Sequence, residues 1–178
     1  MKKFFTTSIL VFIGLVAFSQ SITLNKAKSQ LSILGTSSLH DWVSVVEKFD
    51  GSATVNGNEL SNVKFEATVK SIKSGKSGMD KNIYSALDAE HFHKIIFSAT
   101  ALKIEGDKLT GKGSLKIKGK SNEIPVNLSI QKNGAYIISG QIDLKMTDYN
   151  VEPPTALLGT VKTGDNISLE MAFTLDVK

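Results

Sequence analysis

Period-two alternation of apolar and polar residues runs through most of this sequence and limits its fold more than any other feature. Val63, Phe65, Ala67 and Val69 alternate with Lys64, Glu66, Thr68 and Lys70. The same rhythm runs through residues 109–118, 126–131 and 168–177. Residues 31–36, 44–55, 95–104 and 136–146 follow it less strictly. Successive side chains of a strand point to opposite faces, so such runs predict strands with one apolar and one wet face. The count is about eight strands, several of them long.

The breaks between the runs hold turn chemistry. Asn56-Gly57-Asn58, Glu105-Gly106-Asp107, Lys118-Gly119-Lys120 and Lys132-Asn133-Gly134 are short and rich in Gly or Asn, as tight hairpins require. Hairpins join neighbours antiparallel, which predicts an up-and-down meander between Ile95 and Met146. Helical spacing occurs only over residues 79–90, where Ile83, Tyr84 and Leu87 share a face. From Asp148 to Asp165 there is no period, and Pro153-Pro154 and Leu157-Leu158 sit there, as in a binding loop or lid. Eight strands with one apolar face each form either a sandwich or a closed barrel. Closure removes exposed edges and accommodates the inserted helix, so the expectation is all-β: an eight-stranded antiparallel β-barrel with one short helix.

Composition narrows the functions. Lys2 and Lys3, the apolar run from Ile9 to Phe18, and small residues at Ala17 and Ser19 read as a cleaved signal peptide over residues 1–20. The run is too short for a spanning helix, which needs about 20 residues. The mature chain, residues 21–178, is expected to be a single periplasmic or secreted domain that does not span a membrane. Losing Lys2 and Lys3 lowers the formal charge from +4 to about +2, too little to argue for nucleic acid. Every cation is lysine, so the bidentate arginine fork that grips phosphate is missing. There is no cysteine, which excludes disulfides, thiol chemistry and a lipid-anchored amino terminus.

Few residues read as chemical groups. His91 and His93 are two apart, and His40 precedes Asp41-Trp42. Imidazoles with a carboxylate suit a divalent metal, yet a structural site needs about four convergent ligands. The preferred reading ends the helix with His91 and His93, where a partly positive ring suits the dipole. His40 and Asp41 are read as bonding a turn while Trp42 lines one end of the barrel. No nucleophile elbow or carboxylate pair accompanies them, so no catalytic residue, metal or cofactor is assigned; His40, His91 and His93 are placed at a polar mouth. Gly111-Lys112-Gly113 lies inside a strand pattern and marks a bend or a close approach rather than a phosphate loop. The apolar row is the strongest candidate site: Trp42, Phe65, Val69, Phe97, Leu115, Ile117, Leu128, Ile142, Leu144, Met171 and Phe173 are expected to face inward. Pattern alone leaves open whether that interior is filled by these side chains or holds a ligand.

Several segments in order resemble the YceI-like family of lipocalin-like, polyisoprenoid-binding barrels. They are Gly35-Thr36-Ser37-Ser38-Leu39-His40-Asp41-Trp42, the stretch from Met79 to Leu87, His91-Phe92-His93-Lys94-Ile95-Ile96-Phe97, the stretch from Leu109 to Gly119 with Ile124-Pro125-Val126, Asp148-Tyr149-Asn150-Val151, and Gly164-Asp165-Asn166-Ile167-Ser168-Leu169. His93 stands where many members have proline, Met146-Thr147 where an arginine is common, and Asn150 where glycine is common. The resemblance implies a non-enzymatic binding protein with an isoprenoid-type lipid in its lumen. The rival classes are an envelope interaction domain with a packed barrel, and a metal protein or enzyme using the three histidines. The oligomeric state, a homodimer included, is left open.

Overall fold

The alternating runs become strands in a computed structural model that describes residues 19–156 and 159–178. The predicted signal peptide, up to residue 18, and Leu157-Leu158 lie outside the described residues. In chain order, β1 comprises Gln20–Leu24 and Gln30–Ser37, interrupted by one turn at Lys26–Lys28. β2 comprises Trp42–Val46 and Phe49–Asn56. β3 comprises Glu59–Thr68 and Ile72–Lys73, interrupted at Val69–Ser71. Then follow β4 (Lys94–Glu105), β5 (Lys108–Ile117), β6 (Lys120–Asn133), β7 (Ala135–Lys145) and β8 (Val161–Val177). The pair Thr155–Ala156 folds back on the start of β8.

Both halves of β1 lie between the same two neighbours. Ile22 is opposite Ala53 and Val177, and Ile33 is opposite Ser44 and Leu169. Each strand pairs antiparallel with the next, and β8 returns to β1, closing an eight-stranded barrel. The first half of β1 is an addition to the sequence-based expectation. Its apolar residues, Ile22 and Leu24, are too few to show a rhythm, yet both are buried.

The meander sorts the connections between two ends. The hairpins after β2, β4 and β6 close one end. The other collects the loop from β1 to β2, the segment from β3 to β4, the hairpin after β5, and the loop from β7 to β8. Helix α1, Ser77–Ala86, lies in the second of these. It is shorter than the expected 79–90, because residues 87–91 form turns and Asp88 takes a positive φ of 50°. Asp80 in its first turn suits the helix dipole and accepts bonds from the Ser74 amide (2.8 Å) and hydroxyl (2.7 Å). Tyr84 fastens the far side: its hydroxyl takes a bond from Lys73 Nζ (2.7 Å) and lies 2.9 Å from the carbonyls of Lys70 and Ile72.

Between β6 and β7 a stretch of wall lacks backbone bonding. β6 and β7 pair only through Ser129–Asn133 and Ala135–Ser139. Beyond these, β6 from 120 to 128 pairs with β5 alone, and β7 from 140 to 145 pairs with β8 alone. Pro125 lies in the unpaired stretch, where its missing N–H costs no ladder bond. Gly140 begins the divergence at φ 146°, and a Cβ there would stand 2.8 Å from Leu128 Cδ2. Only glycine fits.

Candidate functional site

Inside the barrel the apolar rows fail to meet. Near the closed end Ile22, Leu60, Leu102 and Leu109 are almost wholly buried. Higher up, Ile33, Phe65, Phe97, Ile142, Leu169 and Phe173 also project inward, yet each keeps part of its surface accessible. An inward side chain with accessible surface has empty space in front of it. That space is a cavity of about 1060 Å³, just above the usual range of about 300–1,000 Å³ for small-molecule sites.

The wall chemistry follows from the strand pattern. Phe49, Phe65 and Phe173 meet with ring centroids 5.4–6.0 Å apart, which narrows the lumen at mid-height. Phe97 lies over Gly113, where a Cβ would collide with the phenyl ring, so that glycine makes room for an aromatic wall residue. Trp42 stacks over Gly35 in the same manner and donates its indole N–H to the Thr36 carbonyl at 3.0 Å. Ser44, buried in the wall, has a hydroxyl with no hydrogen-bond partner among the described residues. Helix α1 roofs the mouth with Met79, Ile83 and Ala86, followed by Leu87, and none of the helix residues is fully buried. Its apolar underside therefore faces the void.

Where β6 and β7 part, side chains replace backbone bonds. Tyr149, from the turn Thr147–Tyr149, packs with Ile124, Leu144, Met146 and Val151. Asn122 Nδ2 donates to the Asp148 carbonyl at 2.7 Å and ties that turn to β6. Burial pushes the Tyr149 phenol above its ordinary pKa, against the lowering effect of a hydrogen bond with Asn122.

Ten of the eleven apolar residues expected to face inward line the cavity: Trp42, Phe65, Phe97, Leu115, Ile117, Leu128, Ile142, Leu144, Met171 and Phe173. Val69 does not. It begins the Val69–Ser71 turn, which breaks the alternation of β3, and it is buried away from the lumen. Of the three histidines expected at a polar mouth, His40 lines it, in a turn where Ser37 Oγ donates to the His40 carbonyl at 2.7 Å. His91 and His93 do not line the cavity, and they do not end the helix either. The helix stops at Ala86; His91 Nδ1 lies 2.7 Å from the Asp88 carboxylate, and His93 Nδ1 lies 3.0 Å from the Ala89 carbonyl. Among the described residues no group of three or more His, Asp or Glu stands together as a metal site. No helix among them is long and apolar enough to cross a membrane.

The sequence reading missed Tyr149, Ser44 and the underside of α1 as wall residues. Tyr149 follows no strand rhythm, and Ser44 reads as an ordinary polar strand residue. The spacing of Ile83 and Leu87 was the available signal for the roof.

A closed eight-stranded antiparallel barrel around an apolar chamber is of the lipocalin-like class, whose interior is wide enough to hold one small ligand. The YceI-like domain profile matches residues 22–175, and the chain belongs to that family. Solved structures agree on the fold. BcnA of Burkholderia cenocepacia is 19% identical with a TM-score of 0.73, over 85% of this chain and 98% of that one. A polyisoprenoid binding domain from Saccharophagus degradans, implicated in plant cell wall breakdown, is 10% identical with a TM-score of 0.69, over 88% and 98%. The YCEI protein of Campylobacter jejuni is 15% identical with a TM-score of 0.61, over 100% and 99%. No curated protein sequence matches the chain.

Proposed function

We propose that this protein is an exported binding protein, not an enzyme, that holds an isoprenoid or similar amphiphilic lipid with its tail in the barrel. The observation behind this reading is the chamber itself, whose inward apolar side chains keep accessible surface at mid-height. Burying a tail there gains on the order of 0.8 kcal/mol per methylene-sized unit, so a ligand of ten or so carbons has ample gross driving force. Membership of the YceI-like family and the likeness to a polyisoprenoid binding domain support the ligand class. A barrel packed solid, the rival reading, requires these rows to touch across the lumen.

Export rests on the amino-terminal pattern of lysines, apolar run and small residues before Gln20. Organic extraction of natively purified protein, followed by mass spectrometry, tests the ligand. A prenyl-type lipid at near-stoichiometric yield is the expected result; repeated absence of any lipid, with no uptake of added prenyl alcohol, overturns the reading. Amino-terminal sequencing of the mature chain tests export, and a chain that retains Met1 in the cytoplasm counts against it.

A further inference from the structure

We propose that Ser44 is a ligand anchor in the chamber wall, whose hydroxyl donates to an uncharged oxygen on the guest. This rests on the lipid-binding reading above and narrows the guest to a neutral isoprenoid alcohol or ketone. Ser44 lines the cavity and is 1% exposed, and its Oγ has no hydrogen-bond partner among the described residues. The other buried polar side chains among those residues are Ser32 and Ser71, and both are engaged. Ser71 Oγ donates to the Thr68 carbonyl (2.7 Å) and accepts from the Lys48 amide (3.0 Å), and Ser32 Oγ lies 3.5 Å from Gln30 Nε2. Buried hydroxyls are nearly always bonded, and one left alone costs stability. A wall position that an apolar side chain would fill without that cost holds a serine instead.

The register fixes where that hydroxyl stands. Ser44 pairs with Ile33, Ile33 with Leu169, and Leu169 with Ile142, so it belongs to one row across β2, β1, β8 and β7. The three apolar members of the row line the chamber and keep part of their surface accessible. Along β2, Ser44 comes between Trp42, nearer the mouth, and Val46, with Phe49 of the aromatic narrowing beyond. An oxygen bonded to Ser44 therefore lies in the upper chamber, with the narrowing and the closed end below it for the tail. The Trp42 indole N–H already donates to the Thr36 carbonyl at 3.0 Å and does not compete for the guest. A trapped water needs about two to four polar partners, and the side chains that flank Ser44 along the wall are apolar or committed.

The same wall decides the charge of the group it takes. Lys64, Lys76 and Lys145 border the cavity, as does His40, and all four are exposed. A carboxylate or diphosphate drawn down to Ser44 would leave water with no buried cation to meet it, at far greater cost than a hydroxyl or carbonyl. A single serine donor suits an uncharged oxygen. The lack of arginine anywhere in the sequence points the same way.

Titration of the lipid-stripped mature chain with three probes tests this: geranylgeraniol, the matching hydrocarbon with hydrogen in place of the hydroxyl, and geranylgeranyl diphosphate. Binding is read by the fluorescence of Trp42, the only tryptophan, which lines the cavity. Ser44→Ala is expected to weaken geranylgeraniol binding about tenfold, because it leaves the guest's hydroxyl buried and unpaired. The hydrocarbon is expected to bind wild type and variant alike, which also shows that the variant is folded. The diphosphate is expected to lose nothing on the same substitution. Equal geranylgeraniol binding by wild type and Ser44→Ala overturns the anchor and leaves the lipid-binding reading in place. An equal loss for the hydrocarbon marks a reshaped wall and also overturns it. An equal loss for the diphosphate overturns the restriction to neutral guests. If the wild type binds none of the three, the lipid-binding reading itself fails and the anchor falls with it.

Discussion

The two ends of this barrel are built from the same kinds of residue in the same rhythm, and they differ in how deeply those residues are buried. At the closed end Leu109 on β5 meets Leu60 and Leu102 from β3 and β4, and it is 2% exposed. Towards the mouth Leu169 on β8 obeys the same alternation, sits opposite Ile142 and Ile33, and still keeps part of its surface accessible. Alternation tells which way a side chain points. It says nothing of how far away the opposite wall stands.

The largest expected effect breaks this contrast directly. Leu109→Ala is expected to cost about 2–5 kcal/mol in urea melts, whereas Ile83→Ala on the helix underside, which borders the void, should cost less than about 1 kcal/mol. Equal losses would mean that the two ends are packed alike. Next comes a filling experiment. Leu169→Trp is expected to reduce prenyl-alcohol binding at least about tenfold, at a stability cost below the roughly 1–3 kcal/mol of overpacking a filled core. A large destabilisation would show that the space is already taken.

Ser44 sharpens the comparison on the polar side. Its buried hydroxyl has no partner among the described residues, and leaving such a group unpaired costs about 1–3 kcal/mol. Ser44→Ala is therefore expected to leave the empty barrel as stable as wild type or more so, read from thermal melts. A loss would reveal a partner for the hydroxyl.

The smallest effect concerns the roof. The Ser74 hydroxyl, then the Ser74 amide, hold the Asp80 carboxyl below its ordinary range. A depressed carboxylate stabilises the fold above its unfolded pKa and loses that contribution as pH falls through its folded value. The stability difference between wild type and Asp80→Asn should thus be greatest near neutral pH and shrink in acid. A difference that does not change with pH would detach Asp80 from the anchoring of α1.

Much of the fold was legible because strand faces are local information. Val63 to Val69, Leu109 to Ile117 and Leu169 to Val177 show their faces within a few residues, and hairpins at Gly106 and Gly134 fix the order of neighbours. Ten wall residues followed from those faces. What stayed hidden depends on departures from the rhythm or on residues distant in the chain. Val69 turns away because three residues form a tight turn inside β3. Tyr149 becomes wall because Pro125 and Gly140 let β6 and β7 separate, which neither residue shows alone. His91 and His93 left the helix end because the chain turns at Asp88, before reaching them.

The parting of β6 and β7 bears on the girth of the barrel. A hoop tied by amide-to-carbonyl bonds around its whole circumference resists stretching, since any widening breaks several bonds at once. Here the upper hoop is not tied that way between β6 and β7, a joint that Tyr149 and its neighbours fill by packing. Widening at that joint costs side-chain contacts and leaves every rung of the ladder intact, so the upper bore yields to a bulkier guest while the lower bore keeps its diameter.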